Sequence, residues 1–365
     1  MQKTSVSAVL EGKRRMSIQE FELPNLKNDD ALLRMELVGV CGSDVSLYNE
    51  KFGPRPYPII LGHEIVGYIE EAGDKFLKKN GLNIGDRVIV EFSFGCGDCL
   101  NCINGKYIAC EKSNYYGSRI SCAEPPYLWG GYGQYLYLPY KAMVHKISKE
   151  MPKETAVLVS AVIANALRWL RQVGNVSIGD TVVIEGVGQQ GLAGTAIAKE
   201  AGANLVIVTD LSKSIEKFEL AKLMGADICI NADKDDVEEV IRNITNGNMA
   251  DILMDVTGNA NAAKRSHKLV RKNGTVVLPG LYGSEQEIPI ILDEIIRKEV
   301  KVLGVFSHDN KAVVPAIKLA EKHNYPWEKI ITDFCKLEDA EKAIQLAGGE
   351  IEGKNPIKVV IDPWS

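Results

Sequence analysis

The 365-residue sequence lacks a run of about 20 apolar residues that would cross a membrane. Its opening residues, MQKTSVSAVLEGKRRMSIQE, lack the apolar centre of a signal peptide. It has no basic stripe. A net charge of −5 and a pI near 5.7 make nucleic acid a poor partner. There is no internal repeat and no low-complexity segment. These absences set the expectation of a soluble, cytoplasmic protein with no nucleic-acid or membrane partner. What is present is a foldable composition, 45% hydrophobic and 25% charged. One core seldom suffices at this length, so two domains are expected.

Eight cysteines occur: Cys41, Cys96, Cys99, Cys102, Cys110, Cys122, Cys229 and Cys335. Four of them fall within fifteen residues, as Cys96-x2-Cys99-x2-Cys102-x7-Cys110. Without a secretory leader, such clustering favours a metal over disulfides. Four thiolates can close a tetrahedron around one Zn²⁺ and leave no open position, so the site reads as structural. A binding module could carry the same cluster, so it does not by itself imply catalysis.

The character of the chain changes partway along. The first 150 residues contain short β-like runs: ALLRMELVGV, EIVGYIEEAG, DRVIVEF and YGQYLYLP. An apolar helix is expected through TAVLVSAVIANALRWL. Then strands and helices alternate. TVVIEGV, LVIVTD, DICIN, DILMDV, TVVLPG and KVLGVF supply six apolar strands. That alternation predicts a doubly wound parallel sheet. The tail from about residue 306 offers two helices and a last strand, IKVVIDP, and is expected to rejoin the first domain.

Gly186-Val187-Gly188-Gln189-Gln190-Gly191 follows the first of those six strands and opens a helix. Glycines there suit a tight turn and close approach of backbone to pyrophosphate. The helix start then offers free N–H groups. Asp210 ends the next strand, nineteen residues after Gly191. Its carboxylate can accept from ribose hydroxyls and would repel a 2′-phosphate, which favours NAD over NADP. Lys213 nearby would offset part of that repulsion. The bland alternative is a glycine-rich turn of another α/β protein, with Asp210 merely solvated.

Cys41-Gly42-Ser43-Asp44 and Gly62-His63-Glu64 lie about twenty residues apart. A thiolate and an imidazole suit zinc with an open position for substrate. Such a metal lowers the pKa of an alcohol and prepares it to lose hydride to a nicotinamide. Ser43 is placed to carry the proton, and Asp44 to hold the second nitrogen of His63. Taken singly, Cys41 reads as a small core residue and His63 as part of a turn.

With these motifs in hand, the sequence resembles the zinc-containing medium-chain alcohol dehydrogenases, which include polyol and threonine dehydrogenases. The matching stretches are CGSD at 41–44, GHE at 62–64, GDRV at 85–88, the cysteine run at 96–110 and GVGQQG at 186–191. The resemblance implies an α/β chain: a GroES-like β-barrel catalytic domain over 1–160 and 306–365, with a Rossmann domain over 161–305. It implies an enzyme acting on CH–OH donors, with NAD and two zinc ions per chain, one catalytic and one structural. It also implies a homodimer or homotetramer. Catalytic roles fall to Cys41, Ser43 and His63, and structural zinc to Cys96, Cys99, Cys102 and Cys110. Gly186, Gly188, Gln190, Gly191 and Asp210 would hold the cofactor.

Two departures matter. Ser160 stands where many members have a third, cysteine ligand. A neutral hydroxyl ligates zinc poorly, so Glu64 is the expected third ligand, with a place beside the metal but off it as the alternative. Ser46 stands where many members pass the proton through histidine, so the relay must shorten or use water. Polyol-type members show Glu-Pro near residues 159–161, and its absence argues mildly against a polyol. In the segment 114–133, Tyr115, Tyr116, Tyr127 and Trp129 either line a pocket for a cyclic or bulky, secondary alcohol or pack around the zinc lobe. Arg119 would suit an acidic substrate group. The competing functions are a zinc-free enone or quinone reductase of the same superfamily and a non-catalytic NAD-binding protein.

Overall fold

The computed structural model describes residues 4–53, 55–283 and 286–365. The chain forms two compact units. One comprises Met1–Ala161, Val313–Lys322 and Ile331–Ser365; the other comprises Val162–Ala312 and His323–Ile330. The boundary expected at residue 306 therefore shifts, because 306–312 and 323–330 belong to the second unit. Arg168 Nη1 donates to the carbonyls of Phe306 (2.7 Å) and Ser307 (3.0 Å), and Trp169 Nε1 donates to that of Ser307 (3.0 Å). Trp327 and Ile330 are buried in the same unit.

The first unit is mostly β, as short alternating runs with turn residues dictate. Its main sheet runs in the order Val144–Lys146, Arg87–Val90, Glu64–Ala72, Ala31–Gly39, Lys358–Asp362, Ile331–Lys336, and Tyr135–Leu138 also pairs with Ala31–Gly39. Thr4–Gly12 and Arg15–Glu22 form a hairpin, joined on its other side by Ile59–Ile60. Leu33, Met35, Ile65 and Leu136 anchor the core, each with no exposed surface. The register places Gly39 opposite Glu64. That single pairing brings the end of one strand, just before Cys41, beside the start of another, just after His63. The strand Ile331–Lys336, pairing parallel with Lys358–Asp362, was not expected from the sequence. Its covered positions are Ile331, Asp333 and Cys335 while Phe334 lies exposed, so hydrophobicity does not mark the strand's inner face.

The second unit holds six parallel strands in the order Ile228–Asn231, Leu205–Asp210, Thr181–Glu185, Ala250–Asp255, Val270–Leu278, Lys301–Gly304. In chain order that is 3-2-1-4-5-6, the doubly wound arrangement. Val183, Ile207, Leu253 and Val276 are fully buried in its centre, as parallel strands covered on both faces require. The helix Lys153–Val173 contains two π-helical stretches, Val159–Ile163 and Leu167–Val173. Against the sequence expectation, it is long and apolar enough to cross a membrane, but 67% of its most apolar window is buried in the fold. That is the behaviour of a core helix.

Candidate active site

Cys41 ends the connection from strand Ala31–Gly39 and caps the short helix Gly42–Tyr48. Asp44, three residues on, accepts the Cys41 backbone N–H on Oδ2 at 2.9 Å and fixes the turn. His63 and Glu64 arrive from the neighbouring strand. One ligand atom from each of Cys41, His63 and Glu64 lies within 4.8 Å of the others. A thiolate, an imidazole and a carboxylate at that spacing suit one zinc ion.

The imidazole is oriented from behind. His63 Nδ1 faces Asp44 Oδ1 at 3.3 Å, while Nε2 faces Ser43 Oγ at 3.2 Å. Nε2 is thus the nitrogen turned toward the metal position, and Asp44 fixes the tautomer. Asp44 is fully buried and also accepts the Tyr132 hydroxyl at 3.2 Å. Burial alone would lower the His63 pKa, but the Asp44 carboxylate and Cys41 outweigh it and hold the ring well above its ordinary value. Burial alone would raise Asp44, and His63 reverses this, so Asp44 stays ionised.

Glu64 has no exposed surface. Its Oε2 meets Lys358 Nζ as an ion pair outside hydrogen-bond geometry, and its Oε1 has no hydrogen-bond partner among the described residues. A buried carboxylate oxygen left open beside a thiolate and an imidazole fits a cation. Ser160 is buried in its π-helical turn, and its Oγ has no hydrogen-bond partner among the described residues.

The four clustered cysteines also converge, with one sulfur of each within 4.8 Å of the rest. Cys96 Sγ and Cys102 Sγ are 3.9 Å apart. A zinc tetrahedron with Zn–S near 2.3 Å requires about 3.8 Å. None of the cysteines is in a disulfide. Burial pushes the Cys110 thiol up, but the Cys96 N–H and neighbouring thiols outweigh it and draw it down to about 7. A thiol so placed is ready to lose its proton to a metal.

In the aromatic segment, Tyr116 is buried and packs with Phe94 and Trp129, while Tyr127 packs on Phe21. Tyr116 is thus core, and Tyr127 and Trp129 pack partly buried against it. Tyr115 differs. It stacks on Phe92 at 5.1 Å, and the Phe92 ring lies edge-on, 6.1 Å from His63. Phe92 went unnoticed in the sequence, where it simply follows the strand from GDRV. Arg119 lies over Tyr115 at 4.1 Å and donates to the Ser113 carbonyl at 3.4 Å.

In the second unit, Gly188 caps the helix Gln189–Glu200, whose first residues include Gln190 and Gly191. Gly191 has to be glycine, since a Cβ there would run into the Gly186 carbonyl. Asp210 does more than face a ligand. Its Oδ2 accepts the Val187 N–H at 2.7 Å and its Oδ1 the Leu211 N–H at 2.7 Å. It therefore fastens the glycine turn while keeping lone pairs for a ribose.

Glu185 precedes that turn and lies opposite Asp255 on the adjacent strand; both are fully buried. Burial pushes Glu185 up to about 7, with Asp255 adding to the rise and Arg265, at 2.7 Å, opposing it. The folded value exceeds the ordinary 4.5, so this group's stabilisation is complete below about pH 4.5 and lost as pH rises through about 7. Glu185→Gln should remove that slope, worth roughly 3 kcal/mol across the window. Unfolding midpoints at pH 5 and pH 8 check it. An unchanged slope would contradict the assignment.

Comparison with known proteins agrees with this geometry. Residues 27–149 match the alcohol dehydrogenase GroES-like domain, and residues 191–322 match the zinc-binding dehydrogenase model. A Mycobacterium tuberculosis protein named as a probable alcohol dehydrogenase is 35% identical over 97% of both chains. The erythritol/L-threitol dehydrogenase of Mycolicibacterium smegmatis is 32% identical over 98% of this chain and 97% of its own. An alcohol dehydrogenase from Thermotoga maritima superposes with a TM-score of 0.89 at 28% identity, over 99% of both chains. A zinc-binding dehydrogenase from Sinorhizobium meliloti 1021 bound to NADP gives 0.88 at 25%, covering 99% and 100%. An alcohol dehydrogenase from Escherichia coli CFT073 complexed with NADH gives 0.85 at 26%, covering 99% and 100%. Polyol dehydrogenases are among the relatives, so the absence of Glu-Pro near residues 159–161 does not separate this chain from them. Neither the enone reductase nor the non-catalytic alternative is favoured. The chain belongs to the zinc-dependent medium-chain alcohol dehydrogenase family and is an oxidoreductase acting on CH–OH donors.

Proposed function

We propose that the protein oxidises secondary alcohols to ketones with NAD, using a catalytic zinc held by Cys41, His63 and Glu64. The observation that carries this is the convergence of those three donors around the Ser43 hydroxyl. Zinc bound there supplies Lewis acidity that makes the alcohol more acidic, and NAD bound at the glycine turn supplies the hydride acceptor. Ser43 takes the alcohol proton. With Ser46 in place of a histidine, the proton leaves Ser43 through water. Asp44 keeps Nε2 of His63 free for the metal by engaging Nδ1. The Phe92–Tyr115 stack beside His63 supplies an apolar wall, which favours bulky or cyclic alcohols. Cys96, Cys99, Cys102 and Cys110 hold the structural zinc.

Metal analysis of the purified protein is the direct test. About two zinc per chain supports this reading, about one leaves only the structural site, and none overturns it. NADH formation across a panel of primary, secondary, cyclic and polyhydroxy alcohols then ranks the substrates. The cofactor choice rests on Asp210. Asp210→Ala should reduce the NAD:NADP ratio of kcat/KM about tenfold or more, because a carboxylate facing a 2′-phosphate costs over 1 kcal/mol. An unchanged ratio refutes the role.

We read the protein as a cytoplasmic homo-oligomer. Eight thiols without a disulfide accord with a reducing compartment. Lys301–Gly304 ends its sheet among the described residues, Phe306 just beyond it is more than half exposed, and an open strand edge beside apolar surface suits a second copy.

A further inference from the structure

The short strand Ser93–Phe94 pairs antiparallel with Asn114–Tyr115, Ser93 opposite Tyr115 and Phe94 opposite Asn114. Residues 95–113, which carry all four clustered cysteines, are the loop that closes this ribbon. At the open end, the Tyr116 N–H donates to the Phe92 carbonyl at 2.8 Å. Gly117 follows with a φ of +71° and lies against Gly62, the residue before His63. A Cβ on Gly117 would meet the Gly62 carbonyl, so glycine permits the approach. One ribbon thus has the cysteine cluster at one end and the Phe92–Tyr115 stack beside His63 at the other.

Two contacts run from the aromatic wall back to the lobe. The Tyr115 hydroxyl donates to the Ile108 carbonyl at 3.3 Å. Ile108 is the middle of the 3-10 turn Tyr107–Ala109, which leads into Cys110. Arg119 lies over the Tyr115 ring at 4.1 Å and donates to the Ser113 carbonyl at 3.4 Å. The Ser113 N–H in turn donates to the Cys110 carbonyl at 3.0 Å, and the Cys96 N–H to Cys110 Sγ at 3.4 Å. Both tethers therefore end close to one metal-binding cysteine. A phenylalanine at 115 would also stack on Phe92; the tyrosine hydroxyl adds the tie to the lobe.

We infer that the four-cysteine lobe is a specificity element of the active site: by holding Tyr115 through Ile108 and Arg119 through Ser113, the metal-filled lobe fixes the wall that bulky or cyclic alcohols press against. This rests on the catalytic site and the wall proposed above. A ring ordered beforehand is ready for the substrate. A loose ring has to be ordered at the moment of binding, which weakens binding of any alcohol large enough to need it. Small alcohols that do not reach the wall are indifferent to its order. Arg119 is a positioning residue, since it meets the substrate only through Tyr115.

The test compares kcat/KM for cyclohexanol and propan-2-ol, two secondary alcohols that differ in bulk. Tyr115→Phe keeps the ring and deletes its tie to Ile108. The cyclohexanol:propan-2-ol ratio should fall about fivefold, the scale of ordering one side chain on binding. Arg119→Met should lower it about threefold, the scale of one exposed cation–π contact. Cys102→Ser, assayed below its melting range, should lower it at least as far as Tyr115→Phe. Tyr115→Leu removes the ring, and adding Cys102→Ser to it should change the ratio no further, because the lobe acts through that ring. Hydrogen exchange reads the same coupling without turnover. In Cys102→Ser, exchange should quicken across 114–119, which includes the Tyr116 N–H, and stay at the wild-type rate across 64–72. Should Cys102→Ser fail to fold, Tyr115→Phe and Arg119→Met decide the matter. A wild-type ratio in Tyr115→Phe, or in a Cys102→Ser protein whose structural site is empty, overturns the inference. So does wild-type exchange across 114–119 in that protein. A wild type that oxidises neither alcohol would instead overturn the site reading, and the exchange experiment would still judge the lobe.

Discussion

Cys41→Ala is expected to reduce alcohol oxidation by about 10³-fold or more, since losing the Lewis acid forfeits several kcal/mol of charge stabilisation. Zinc content should fall from about two per chain to about one. The fold should survive. Alanine retains the Cys41 backbone N–H to Asp44 and the Cys41 carbonyl that accepts the Asp44 N–H, and loses only the weak acceptance of that N–H by the thiol. The side chain is only partly buried, so little apolar contact is lost. His63 also stays in place, because Asp44 holds it independently of the thiol. An imidazole and one oxygen of a carboxylate whose other oxygen pairs with Lys358 would remain, too few donors to retain zinc against a chelator. Steady-state rates, metal analysis and a melting curve on one preparation separate loss of chemistry from loss of fold. Oxidation at the full rate would show the mechanism to be wrong.

What the sequence reveals about this site follows the distance over which the chemistry is encoded. The four cysteines and the glycine turn are local, and their spacing states their geometry directly. The convergence of Cys41 with His63 needs a sheet register, Gly39 opposite Glu64, which alternation alone does not supply. The motifs CGSD and GHE stand in for it only through family likeness. Lys358 lies beyond either kind of signal. It sits in an apolar final strand, at the far end of the chain from Glu64, and nothing local marks it as part of a metal site. Asp210 drew notice in the sequence as a candidate ribose partner. Its hold on the Val187 N–H was not, because that bond depends on how two strand ends meet. The aromatic segment shows the converse difficulty. Four rings looked alike in sequence, yet Tyr116 is buried in the core, Tyr127 and Trp129 pack against it, and Tyr115 stacks on Phe92 beside His63. The helix from Lys153 was legible as an apolar helix, but its composition carries no sign of the protein that covers it.

Cys102→Ser should empty the structural site and lower the thermal midpoint by on the order of 10 °C, with the lobe around residues 95–113 failing first. The lobe has little else to hold it. Leu100 and Ile103 are 75% and 71% exposed, so its one α-helical turn, Leu100–Ile103, buries almost no apolar surface. Its inward contacts are few. Lys141 Nζ donates to the Cys96 carbonyl, Tyr107 donates to Glu91, and Glu91 is in turn paired with His145 at 2.7 Å. A segment of this kind is ordered by its metal, and the metal's binding energy becomes folding energy for that segment. Serine keeps the volume of cysteine but offers a neutral hydroxyl, so three thiolates would be left with an incomplete tetrahedron. Limited proteolysis should cut first within 95–113 in the variant and leave the wild-type lobe intact. The proposed catalytic donors sit at the ends of strands whose core residues Ile65 and Leu33 are fully buried, so one zinc should remain bound there. A variant with two zinc ions, an unshifted midpoint and an uncut lobe would mean that the four thiols are packing residues and not ligands.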